Sequence, residues 1–164
     1  MAGYGTDAGL ADYLVTNGLV LPTEAPSPAI LRQRASDYID GLYEARFTGT
    51  RTDPLNQERA WPRTGAVVAK IAVPVNVIPA AVERAAYAAA VYEGQNDGAL
   101  SSAASQSGAI KREKVDVIET EYATGTGDVV ADATVRLSSV EGALCPFLKS
   151  DEATGVSLGL WAVG

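Results

Sequence analysis

The stretch VIPAAVERAAYAAAVYEG, residues 77–94, decides the fold. Pro79 opens it and Gly94 follows it, the punctuation of a helix with proline near its start and glycine past its end. Val82, Ala85, Ala86, Ala89 and Tyr92 recur on one face, and further alanines cover much of the rest. Side chains this small on so many sides let neighbouring helices come close. The segment is therefore expected either at the centre of a helical bundle or as a helix packed on two partners.

Upstream, RFTGTRTDPLNQERAWPRTG (46–65) has no apolar period and sets four arginines around a tryptophan wedged against a proline. Two readings stay open. Arg46, Arg51, Arg59 and Arg63 with Phe47 and Trp61 supply the cations and rings that single-strand binding uses, although Asp53 and Glu58 sit among them. In the structural reading Trp61 is an anchor in a core, Pro62 fixes the chain direction and Arg63 bonds nearby carbonyls or carboxylates. Such an anchor could tie the loop to its own domain or to an adjacent subunit.

Further out, SPAILRQRASDYIDGLYEAR (27–46) reads as a helix with Ser27 as N-cap and Pro28 in the first position. Leu31, Ala35, Tyr38 and Leu42 make a narrow apolar stripe, with Arg32, Arg34, Asp37 and Asp40 largely away from it. TDAGLADYLVTNG (6–18) predicts a short first helix capped by Thr6 or Asp7 and ended by Gly18, with Leu10, Tyr13 and Leu14 on one side. Downstream, NDGALSSAASQSG (96–108) is a polar linker, and AIKREKVDVIETEYA (109–123) alternates like an extended strand or arm until Ile118. A last short helix is expected near Ser139 to Cys145, stopped by Pro146. The remaining KSDEATGVSLGLWAVG places Leu158, Leu160 and Trp161 among glycines, an apolar terminus that needs something to dock on. The fold class these segments predict is mainly α: a small helical bundle with long loops, a short strand or hairpin arm and an extended C-terminal tail.

Composition narrows the chemistry. The 164 residues suit one domain, and the formal net charge of −7 repels phosphate. There is no histidine and one cysteine, Cys145, so histidine-dependent triads, Cys-His pairs and zinc sites all lack a member. The lone thiol fits a reducing compartment during folding, and no secretion or membrane-spanning pattern is visible. Asp37 with Asp40, and Glu119 with Glu121, are paired carboxylates whose simplest explanation is a solvated face. TGTGD (124–128) lacks a phosphate-loop pattern and reads as a turn. The reading is of no enzyme: no catalytic, cofactor or metal residue is assigned.

In order, ASDYIDGLYEARFTGTRTD, QERAWPRTG, VIPAAVERAAYAAAVYEG and KREKVDVIETEYA resemble successive blocks of a family of small tailed-bacteriophage proteins. These are head-to-tail connectors, adaptors beneath the portal ring, some of which carry the label DnaT-like single-stranded-DNA-binding protein. The resemblance covers about Leu31 to Leu148; the first thirty residues are only loosely similar, and relatives tend to end sooner. It implies a helical adaptor domain over 1–148 and a docking tail over 149–164. It further implies a closed homo-oligomeric ring of a dozen copies between the portal protein and the next neck protein, a stopper or tail terminator. The genome would pass through that ring without specific binding, and a ring uses heterologous interfaces. Arg51, Arg59, Trp61, Arg63, Leu158, Leu160 and Trp161 are the expected subunit or portal contacts. The expected location is the virion neck, after synthesis in the bacterial host cytoplasm. The alternative is a single-stranded-DNA-binding protein.

Overall fold

A computed structural model of the chain describes residues 3–101 and 135–149 in full, together with the backbone of 113–115 and 118–120. It is mainly helical. The helices are α1 (Asp7–Thr16), α2 (Pro28–Tyr43), α3 (Ala80–Gln95) and α4 (Ser138–Leu144). Three antiparallel hairpins accompany them: β1 (Thr50–Arg51) with β2 (Arg63–Thr64), β3 (Val67–Val68) with β4 (Ile71–Ala72), and β5 (Glu113–Val115) with β6 (Ile118–Thr120).

Helix α3 sits at the centre, touching α1, α2 and α4. Val82, Ala85, Ala86 and Ala89 are buried as the pattern predicts, with Ala90 and Val91 on a further side. Gly94 corrects the sequence reading: the helix does not stop before it but continues to Gln95. A β-carbon at Gly94 would lie 2.7 Å from Leu21 Cδ2 and 3.1 Å from Leu31 Cδ1, so the glycine permits close packing against α2 rather than ending a helix. Termination falls to the buried Glu93, whose carboxylate accepts from the Gly98 and Leu100 N–H groups at 3.0 Å each. Those donors order the first part of the expected linker, whose Ala99–Ser101 form a 3-10 turn.

Thr6 caps α1 by accepting from the Gly9 N–H at 3.0 Å, and Gly18 turns the chain away with φ 63°. Pro28 begins α2, but the Ser27 side chain makes no capping bond. Leu31, Ala35 and Tyr38 are buried, joined by Ile39 and Tyr43, whereas Leu42 stays partly exposed. The larger departure is Arg32, which is buried rather than turned away from the stripe. Its guanidinium donates to the Gly3 and Gly5 carbonyls at 3.0 and 2.8 Å and to Asp7 at 2.8 Å, holding the N-terminal segment against α2. Full burial of a side chain such as Leu31, Ile39, Val82 or Leu144 contributes roughly 1.5–3 kcal/mol.

α4 begins at Ser138, and Pro146 does not finish the turn it interrupts: Cys145–Phe147 form a 3-10 turn that buries Phe147. Leu148 then bridges antiparallel to Phe47, and the Lys149 N–H donates to the Arg46 carbonyl at 2.7 Å. The end of the described chain is thereby fastened beside the 46–65 loop. The extended segment expected over 109–123 contains the β5–β6 hairpin, with Val115 opposite Ile118. The 124–128 turn, Glu121, and Leu158, Leu160 and Trp161 of the tail lie outside the described residues.

Sequence reading missed the β3–β4 hairpin. Its two-residue turn puts Ala69 and Lys70 at φ 48° and 68°. Both central positions of such a turn favour glycine, asparagine or aspartate, so the left-handed conformation costs about 1–2 kcal/mol at each. That chemistry offers no turn signal to read.

Candidate functional site

The arginine and tryptophan loop carries a dense set of polar contacts. Chain turns at Glu44–Arg46, the β1–β2 pair and a cis Trp61–Pro62 bond fold residues 46–65 back onto α2. Trp61 is about 1% exposed. Its indole meets Phe47 at 5.6 Å and Phe147 at 5.7 Å between ring centres, edge to face at 72° and 90°. That geometry suits the ring quadrupoles and contributes beyond area burial. The loop and the C-terminal 3-10 turn thus share one aromatic cluster.

Each arginine near that anchor is engaged within the chain. Arg63 spans three carbonyls: Nε to Thr48 at 2.9 Å, Nη1 to Ala60 at 3.1 Å and Nη2 to Gly49 at 2.6 Å. Burial lowers its pKa from the usual arginine value, yet the three acceptors keep the cation hydrogen-bonded. Arg59 reaches Asp37 at 2.6 Å and Asp40 at 3.2 Å. Arg51 grips Glu44 with two bonds of 2.5 and 2.6 Å and donates a third to the Gln57 carbonyl at 2.7 Å. Arg46 lies over the Tyr43 ring, 5.6 Å from its centre.

One residue absent from the sequence reading, Tyr4, completes the arrangement. The buried Tyr4 hydroxyl donates to Asp40 at 2.5 Å and accepts from the Trp61 N–H at 3.2 Å, linking the chain start, α2 and the loop. Burial, and then the Asp40 charge, push the Tyr4 hydroxyl pKa well above the ordinary tyrosine value. Asp40 is likewise raised by burial, against the pull of its bonds from Tyr4 and Arg59. Its carboxylate is only 11% exposed, so the solvated-face reading of the Asp37/Asp40 pair fails for Asp40 and holds for Asp37, at 60%. An aromatic between two glycines carries no period, so only the N-terminal sequence GYG hinted at Tyr4. Arg32 and Glu93 likewise become buried polar ties that their positions in helical patterns did not announce. Trp61 Nε1 and Arg59 Nε are buried without a hydrogen-bond partner among the described residues.

Chemically, this site braces. Its carboxylates are held by cations and its cations by carboxylates and carbonyls. Arg51, Arg59, Trp61 and Arg63 come together as the sequence grouped them, but inside their own chain; Leu158, Leu160 and Trp161 fall outside the described residues.

Comparison with family sequences gives a match over residues 3–162 to the family described as "Putative DnaT-like ssDNA binding protein". The chain belongs to that family. Membership extends through the N-terminal segment that Tyr4 and Arg32 tie down, beyond the Leu31 to Leu148 blocks of the connector resemblance. The family description carries the strand-binding label and says nothing of a virion or a neck. Comparisons with curated proteins and with solved structures find no match. No helix among the described residues is long and apolar enough to cross a membrane.

Proposed function

We propose that this protein is a structural subunit of a bacteriophage neck, a connector ring that joins the portal to the next neck protein and surrounds the passing genome. One observation carries the reading: Arg51, Arg59 and Arg63 are engaged by the chain's own carboxylates and carbonyls. A chain of net charge −7 whose Arg51, Arg59 and Arg63 are engaged by its own carboxylates and carbonyls is poorly suited to grip phosphate and well suited to let it slide. The order of blocks over 31–148 supplies the place in the virion by resemblance. The exposed apolar side chains around the β3–β4 hairpin suit an assembling subunit.

The family description favours a second reading, single-stranded-DNA binding. Its cations would come from Lys111, Arg112 and Lys114, whose side chains lie outside those described. Two measurements separate the readings: salt-titrated binding of the full chain to labelled oligonucleotides, and co-sedimentation with a portal ring. No oligonucleotide binding at physiological salt, with portal co-sedimentation, is expected. Tight binding that falls steeply with salt, without portal association, would transfer the protein to the second reading. Removing Val156 to Gly164 is expected to leave the melting temperature of the domain unchanged and to weaken portal association; a truncated chain that unfolds would place the tail in its own core.

A further inference from the structure

We propose that residues 150–164 of one copy lie along the β3–β4 hairpin of the next copy, with Val156, Leu158 and Leu160 set against its apolar side chains and Asp151 and Glu152 toward Lys70. This deepens the ring reading and rests on it.

The hairpin supplies the receiving surface. Val67, Ile71, Val75 and Val77 are exposed among the described residues, Ile71 by 72%. Across residues 66–79, Lys70 is the sole charge, and it stands at the turn. A two-stranded hairpin is marginal by itself, and a further apolar segment laid on it adds the burial it lacks. Residues 150–164 match it in both respects. Asp151 and Glu152 are their only charged side chains, and none follows from Ala153 onward. Val156, Leu158 and Leu160 recur at every second position, the spacing that puts side chains on one face of an extended segment.

The path of the described chain up to Lys149 decides whose hairpin is met. The Phe147 carbonyl accepts from the Thr48 N–H at 3.0 Å, and the Thr48 hydroxyl accepts from the Val67 N–H at 3.4 Å, so the chain passes its own β3 at Phe147. Leu148 then bridges antiparallel to Phe47, and the Lys149 N–H donates to the Arg46 carbonyl at 2.7 Å. The Lys149 ammonium donates to the Ala45 carbonyl at 2.9 Å. Each step past Phe147 thus runs back along 47, 46 and 45, away from the Thr48 side that carries the hairpin. The chain leaves Lys149 heading away from the hairpin of its own copy. Residues 150–164, fully extended, reach roughly 50 Å, more than the roughly 35 Å diameter of a domain of about 100 residues, which brings an adjacent copy within range. Donor segment and receiving hairpin are different surfaces, so the contact is heterologous and repeats around a ring. Removing Val156 to Gly164 would then weaken portal association indirectly, because an open ring holds its partner through fewer contacts at once.

Sedimentation velocity of the full chain over a concentration series reads the contact without portal. Ile71→Ser and Leu160→Ser are each expected to weaken self-association by about tenfold at little-changed melting temperature of the dilute protein. The double variant should fall no further, because both substitutions remove one contact. Lys70→Glu is expected to weaken self-association as well, and Asp151→Lys with Glu152→Lys in the same chain to restore it. In a Cys145→Ser chain, Ile71→Cys with Leu160→Cys should give a disulfide ladder between copies on oxidation, alone or on portal, and Val15→Cys in place of Ile71→Cys should not. A bond closed within one copy, an equal ladder from Val15→Cys, or portal-bound rings with no ladder would each overturn the docking alone. So would self-association unchanged by both serine variants. A wild-type chain that stays monomeric by itself and with portal would overturn the ring reading as well.

Discussion

Two neighbouring segments of this chain reverse the usual relation between polarity and burial. Residues 46–65, rich in arginine and polar side chains, send Trp61, Arg59 and Arg63 into the interior. Residues 66–78, almost wholly apolar, leave Val67, Ile71, Val75 and Val77 exposed. The first segment succeeds because each buried cation finds acceptors already in place: Thr48, Gly49 and Ala60 carbonyls for Arg63, Asp37 and Asp40 for Arg59. Charges are buried when hydrogen bonds replace the water they lose. In the second segment Ala66 is buried and Val68, Val73 and Ile78 pack partly on the core, while the remaining apolar side chains find little cover among the described residues. Side-chain chemistry proposes where a segment belongs, and the available partners decide.

The sharpest way to break this contrast is to empty the first segment. Trp61→Ala removes the ring shared by Phe47 and Phe147 and should cost about 3–5 kcal/mol, a large part of the 5–15 kcal/mol that stabilises an ordinary domain. A urea midpoint little changed from wild type would mean that the loop is not part of the core. Next comes Arg63→Ala, which leaves three carbonyls without their donor and should cost about 2–3 kcal/mol by the same measurement. Arg63→Lys should fall between, since a single ammonium cannot span the three acceptors as the planar guanidinium does.

A smaller effect sharpens the comparison through pH. The hydrogen bonds from Arg51 hold the Glu44 carboxyl below its ordinary value of 4.5, against a burial effect that raises it. A carboxylate depressed in the folded state stabilises the protein above its unfolded-state value and loses that contribution as pH falls through the folded value. Glu44→Gln should therefore lower stability by about 0.5–1 kcal/mol near about pH 7, as befits a half-exposed pair. Below pH 4.5 the gap to wild type should begin to close, visible in thermal melts down to about pH 3. A gap constant with pH would separate Glu44 from the ion pair. Least affected should be Ile71→Ser, within about 0.5 kcal/mol for the isolated chain. A larger loss would show that the hairpin packs on its own domain after all.

Much of the helical architecture was legible in the sequence because helices are local. Pro28 and Pro79, the Thr6 cap, Gly18 and the spacing of Leu31, Ala35 and Tyr38 each report on residues within a few positions. Small side chains likewise marked α3 as the central helix before any packing was known. The candidate site was legible only as a grouping. That Trp61 anchors a core followed from its type, but Tyr4, Arg32 and Glu93 act across 57, 29 and 5 residues respectively, through bonds to Trp61, Gly3 and Gly98. Two of those ties are long-range, and the third closes a turn that no periodic pattern reveals. The orientation of the arginines was also undecidable from spacing, since a guanidinium beside a tryptophan serves a phosphate or a carbonyl equally well.

By itself, then, the sequence determined the class of fold, the central helix and the absence of histidine chemistry, all of which depend on composition or short-range periodicity. Only tertiary structure decided that Arg59 and Arg63 turn inward, that Gly94 admits α2 instead of ending α3, and that an apolar hairpin stands exposed beside a buried polar loop. The physical reason is that burial and pairing belong to surfaces brought together across the chain, and one-dimensional spacing records only what lies within a turn or two of each residue.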